Sequence, residues 1–154
     1  MISWQVVIEI LQRLAAWGLL GILTEHFFTG FKALSQGRWD APTKSNLPVF
    51  FVYGIGGTLL ELLDWSLSWH ILLKAVPMTI AIFAIEFLFG LLSIQLYGRC
   101  FWKYTKSDSS EEIHRFSIMG LIRLDYVQYW YILSVFFMYI SPRLKLTINA
   151  ISRL

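Results

Sequence analysis

Seven side chains have the chemistry to hold a proton, a cation or a small amphiphile away from water: Glu25, His26, Tyr53, Glu86, Arg123, Asp125 and Tyr126. Glu86 is the sharpest of them. It is the one charge in AVPMTIAIFAIEFLFGLLSIQLYG, the 24 residues from Ala75 to Gly98, and it stands at their middle. A helix needs ~20 apolar residues to clear ~30 Å of hydrocarbon, so this stretch has the length of a bilayer crossing. A carboxylate at such depth costs at least ~2.5 kcal/mol and should face protein or water, which makes it a functional candidate by default. Thr79, Gly90, Ser93 and Tyr97 fall on the same helical face as Glu86, at offsets of −7, +4, +7 and +11.

These groups converge only if helices position them. With four helices of alternating direction, the ends of helices 1 and 3 and the starts of helices 2 and 4 share one side. Glu25, His26, Tyr53, Arg123, Asp125 and Tyr126 then lie at similar depth, and Glu86 lies deeper. Arg123 is the expected counter-ion of Glu86 or Glu25, since an unpaired charge there is costly. Two readings stand side by side: an ion pair that fixes helix register, and a site that handles a ligand or ion. Catalysis comes third, because the sequence holds no G-x-S-x-G, P-loop, H-E-x-x-H or paired-cysteine motif. Asp64, His70 and Asp125, near helix ends, read as interfacial groups.

The elements follow from hydropathy and punctuation. Crossings are expected over about 14–31, 48–68, 75–98 and 118–140, within a single transmembrane domain spanning 1–154. Residues 2–13 have helical apolar spacing, and either lie in the interface or lengthen helix 1. Pro48 suits the first turn of helix 2, where its missing N–H is no loss. Tyr53, Gly57 and then Glu61 or Asp64 form a polar stripe along it. Gly18, Gly21, Gly57, Gly90 and Gly120 read as helix-packing contacts. Pro142 is expected to end helix 4, leaving RLKLTINAISRL as an interfacial segment. The fold class is therefore all-α, an integral membrane four-helix bundle with interfacial terminal segments.

Composition agrees. Of 154 residues 56% are hydrophobic and only 15% charged, with mean hydropathy +0.59, against about 25% charged in ordinary soluble domains. The net charge of +3 comes without a basic run of the kind nucleic acid requires. The lone Cys100 has no partner for an internal disulfide, and neither a metal nor another cofactor is expected. The N-terminus lacks the basic start and cleavage box of a signal peptide, so the first crossing is expected to remain in the mature chain. Partners are expected to be membrane lipids, with other membrane subunits as the alternative. Loops 31–47 and 99–117 carry seven Lys and Arg against five on the other side, which points those loops to the cytoplasm.

A repeat is also legible. Glu25 precedes Gly37–Arg38 by the spacing with which Glu86 precedes Gly98–Arg99, an offset of 61 residues. Each pair is followed by a loop tryptophan (Trp39, Trp102) and a glycine near the next helix start (Gly54, Gly120). The choice lies between a duplicated helix–loop–helix unit and chance agreement of common residues.

The ordered motifs also carry a family resemblance. They are E-F-x-x-G from Glu86, then Cys100-x-Trp102-x-Tyr104, then Met119-Gly120-Leu121-Ile122-x-Leu124-Asp125-Tyr126 ending at Trp130. With Gly21-x-x-x-Glu25 and Tyr53-Gly54, they resemble the transmembrane protein 229 family and its bacterial CmpB-like relatives, labelled ABC-transporter type IV, from about Ala16 to Tyr139. The resemblance implies an integral membrane protein of this size, with Trp102 and Tyr104 as a loop motif. Three positions depart from the family pattern: Arg123 replaces an uncharged residue, Asp125 a glutamate, and Lys103 an acid. The function expected is transport-like handling of a proton, cation or small amphiphile at the Glu25/Glu86 cluster. The alternatives are an accessory subunit docking through aromatic helix faces and, third, a lipid-modifying enzyme.

Overall fold

A computed structural model describes residues 3–38, 47–105 and 112–151. In order, the elements are α1 (Trp4–Ser35), α2 (Leu47–Ser66), α3 (Ile71–Tyr97), β1 (Ser117–Ile118), β2 (Ile122–Arg123), a 3₁₀ turn (Leu124–Tyr126) and α4 (Val127–Ile151). Among the described residues the chain is all-α apart from one small hairpin, and all four helices are long and apolar enough to cross a membrane. Trp39 of the repeat pattern, and much of both polar loops, lie outside the described residues.

Two boundaries differ from the sequence reading, both in helix 4, and one alternative is decided in helix 1. Residues 4–13 lengthen helix 1, which starts behind a Ser3 cap. Its 32 residues make about 48 Å of helix, more than the ~30 Å of hydrocarbon requires. Helix 4 starts at Val127 rather than near Ile118, because Met119 (φ 55°) and Gly120 (φ 74°) take left-handed conformations that no right-handed helix accommodates. Pro142 does not end α4, which continues to Ile151. A proline removes one helical N–H, and membrane helices tolerate this where other groups satisfy the loosened turn. Here Arg143 Nη1 donates to Tyr139 O beside the break. Pro77 also lies inside a helix, α3.

The chain divides into two compact units: residues 1–59 with 144–154, and residues 60–143. In the first, α1 packs on α2 along residues three and four apart. Gly18 lies against the Phe50 ring, Gly21 against Tyr53, Gly57 against Trp17, and Gly54 against the carbonyl oxygen of Leu14. A Cβ at Gly54 would stand 2.6 Å from that backbone oxygen. The missing side chains let the backbones close up, the device by which membrane helices gain van der Waals contact.

The second unit has Ala75, Met78 and Leu121 at its apolar centre. Glu61, Asp64, Thr79, Ser93, Ser134 and Ser141 in this unit are buried as well. Its exposed helix surfaces are apolar, with Val76, Ile80, Leu88, Leu92 and Phe136 among them. An apolar outside and a polar inside is the pattern expected of a chain surrounded by lipid.

Candidate functional site

The site is built by a segment that turns back along α3. The helix ends at Gly98, whose φ of 71° puts it in the left-handed region, with its N–H on Ile94 O. The following loop is then stitched to the hairpin. Tyr104 N–H donates to Gly120 O (2.9 Å), His114 N–H donates to Tyr104 O (3.0 Å), and Thr105 bridges Ile113. In the hairpin, Ser117 faces Arg123 and Ile118 faces Ile122; Leu121 N–H closes the turn on Ile118 O. Gly120 at φ 74° is required by this turn and is no helix-packing contact, a correction to the sequence reading.

Two contacts seat this assembly on α3, and a third, between Trp102 and Leu121, braces the assembly itself. Leu121, almost wholly buried, lies against Gly90, where a Cβ would come 3.0 Å from its Cδ2. Trp102 Nε1 donates to Leu121 O at 2.9 Å. Tyr104, its backbone held on both sides, donates its hydroxyl to Glu86 Oε1 at 2.5 Å. Glu86 and Gly90 are one helical turn apart, so hairpin and tyrosine settle on adjacent turns of one face. The other carboxylate oxygen of Glu86, Oε2, is buried with no hydrogen-bond partner.

Arg123 is not the counter-ion of Glu86 or Glu25. Its Nε and Nη2 fork onto Asp125, at 2.9 Å to Oδ1 and 2.8 Å to Oδ2. Its Nη1 donates to the Tyr126 hydroxyl at 3.0 Å, and its guanidinium lies 4.4 Å from that ring's centroid. The cause is local. The strand-to-3₁₀ junction brings positions 123 and 125 to the same side, where a planar guanidinium closes on a carboxylate two residues away. Donating these hydrogen bonds to the Asp125 carboxylate also raises the Arg123 pKa above its ordinary value. Aromatic edges tie the pair to the glutamate: Tyr126 packs T-shaped against Tyr104, ring centroids 5.7 Å apart, and also against Tyr129.

The structure therefore gathers Glu86, Trp102, Tyr104, Arg123, Asp125 and Tyr126 in the second unit. Glu25, His26 and Tyr53 belong to the first. His26 Nδ1 bonds Ile22 O on its own helix, Glu25 O accepts from Thr29 Oγ1, and Tyr53 fills the space over Gly21. An apolar groove in that unit is lined by Leu11, Leu14, Ala15, Phe50, Phe51 and Gly54.

Sequence reasoning underrated the end of α2. Glu61 is 1% exposed, and Asp64 is buried and paired through Oδ1 with Lys74 Nζ. Asp64 is thus an interior ion pair across the α2–α3 turn and not an interfacial group. The signal was the stripe Tyr53, Gly57, Glu61, in which the glutamate follows a packing glycine by one turn. His70 does sit exposed at the helix end, where its Nδ1 accepts from Leu72 N–H as the cap of α3. Among the described residues no three of His, Cys, Asp and Glu gather as a metal site would require.

No solved structure matches the chain. Four membrane-length apolar helices make it an integral membrane protein. A family model matches residues 13–154, nearly the whole sequence, and the chain belongs to that family, described as Putative ABC-transporter type IV.

Proposed function

We propose that this chain is a small transport-type membrane protein in which Glu86 takes up and releases a proton, with Tyr104 as the residue that holds the carboxyl in place. One observation carries the reading: Glu86 Oε1 is engaged by the Tyr104 hydroxyl, whereas Oε2 is buried and unpaired. Native structures rarely leave a buried polar atom unmatched, and such an atom in a membrane helix is where an exchanging ligand belongs.

The proton suits this site better than the other ligands considered. It needs one free oxygen, whereas hard metal cations take about six oxygen ligands. A small amphiphile needs an apolar chamber as well as a polar anchor. The family's description as a transporter supports the general role. The exposed aliphatic and aromatic helix faces suit lipid chains and partner helices alike, so they favour no separate reading as an accessory subunit.

The test is proton flux into proteoliposomes under an imposed gradient. Glu86→Gln keeps the shape and the bond to Tyr104 but removes the titratable group. Its flux is expected to fall at least about tenfold, the loss that follows from about 1.4 kcal/mol in the barrier. Flux equal to wild type overturns the reading.

A further inference from the structure

The interior of the second unit holds more unmet hydrogen-bonding capacity than Glu86 alone. Trp130 Nε1 and Ser141 Oγ are also buried without a partner. All three atoms fall on two helix faces that meet. On α3, Thr79, Glu86 and Ser93 recur every seven residues, within about 40° of one direction. On α4, Trp130, Ser134 and Ser141 stand at i, i+4 and i+11, again within about 40°. The faces touch where Thr79 Oγ1 meets Ser134 Oγ at 3.4 Å.

Most hydroxyls of this set satisfy themselves on their own helix. Thr79 donates to Ala75 O, Ser93 to Gly90 O and Ser134 to Trp130 O. Ser141 does not, although its exposure is 0%. The next residue is Pro142, which has no N–H to give Met138 O, so a carbonyl beside Ser141 lacks its helical donor. Trp130 offers a donor and Glu86 Oε2 an acceptor. Buried water typically makes about three hydrogen bonds and occupies sites with two to four polar partners.

We propose that the facing polar faces of α3 and α4 form a water-binding seam, along which a proton passes between Glu86 and Ser141 through waters, one of them held by the Trp130 indole N–H, and through the Thr79–Ser134 contact. Each step hands a proton from one water or hydroxyl to the next while the preceding oxygen accepts another, so the relaying groups keep their net charge and only the Glu86 carboxyl, at the end of the seam, gains or loses a proton. The conduction rests on the reading of Glu86 given above; the hydration does not.

Water-edited solid-state NMR of the full chain in liposomes tests the hydration without any variant. Water magnetisation is expected to reach the Trp130 indole N–H, and an indole that receives none overturns the seam. Flux then tests conduction. Ser141→Ala is expected to slow proton movement about tenfold, and Ser66→Ala, whose hydroxyl lies outside the seam on Leu63 O at the end of α2, to leave it unchanged. A hydrated indole together with wild-type flux in Ser141→Ala overturns conduction along the seam. A hydrated indole with wild-type flux in Glu86→Gln overturns the Glu86 reading and leaves the water-binding seam standing. A thermal unfolding profile of Ser141→Ala like that of the wild type assigns its flux loss to the seam rather than to misfolding.

Discussion

Tyr104 donates its hydroxyl to Glu86 although 18 residues separate them and α3 runs on for 11 residues, about 16 Å, beyond the glutamate. The chain after Gly98 must therefore come back along its own helix. Irregular backbone at such depth is tolerated in membrane proteins where protein buries it or where it lines a polar cavity. The hairpin meets that condition by bonding its backbone to the loop and to itself. The consequence is a carboxyl whose position depends on a residue far away in sequence.

Tyr104→Phe removes that donor and leaves both Glu86 oxygens unmatched. Stability should fall by about 1–3 kcal/mol, the penalty for orphaning a buried acceptor. Thermal unfolding in mild detergent reads this as a lower midpoint. A midpoint equal to wild type in Tyr104→Phe contradicts the assigned contact.

Gly54 and Gly98 should respond differently to alanine. At Gly54 the new methyl meets a backbone oxygen at 2.6 Å, which cannot rotate away, so α1 and α2 must part. The cost expected is about 1–3 kcal/mol, as for other overpacked cores. At Gly98 nothing lies within 4 Å, and only the left-handed φ of 71° resists, so Gly98→Ala should cost about 1–2 kcal/mol. Crosslinking between cysteines placed in α1 and α2 should weaken in Gly54→Ala and persist in Gly98→Ala.

Arg123→Gln should leave proton flux unchanged. The arginine pairs with Asp125, and both side chains keep part of their surface in solvent, 22% and 32%. Such pairs contribute about 0–1 kcal/mol after screening. A flux loss in Arg123→Gln as deep as that of Glu86→Gln would restore Arg123 as the functional counter-ion.

Lys74→Met should destabilise more than the double variant Lys74→Met/Asp64→Leu. The single change leaves Asp64 buried without its cation, a loss of about 3–5 kcal/mol, whereas replacing both partners with apolar groups is close to neutral. Chemical denaturation of the four members of the cycle decides it.

Much of this arrangement could be read from residue order. Apolar length placed the four helices, and the seven-residue recurrence of Thr79, Glu86 and Ser93 placed the polar face of α3. The glycines at 18, 21, 57 and 90 announced close packing because nothing else explains them in apolar runs. The failures have local causes. The run from Ile118 through Tyr126 has helical hydropathy, but hydropathy does not report the left-handed turn at Met119 and Gly120. Pro142 carries a stop signal that applies in water and is overridden where neighbouring donors serve the loosened carbonyls. Arg123 looked like a partner for the deepest acid because charge alone was considered, yet Asp125 is two residues away and reaches it first. The burial of Glu61 was signalled only by its place one turn after the packing Gly57, in a stripe that left Glu61 and Asp64 as alternatives. Gly37 and Gly98, each 12 residues after a glutamate, both adopt left-handed φ, at 74° and 71°. In the repeat pattern Gly54 lies inside α2 while Gly120 lies in a hairpin turn, so those two positions are not equivalent.

Infrared difference spectroscopy of the carboxyl C=O stretch tests the central claim most directly. As reconstituted protein is titrated, a carboxylic acid band should appear that is absent in Glu86→Gln, shifted in Tyr104→Phe and unchanged in Arg123→Gln. A band that persists in Glu86→Gln, or no titrating band at all in the wild type, contradicts proton exchange at Glu86.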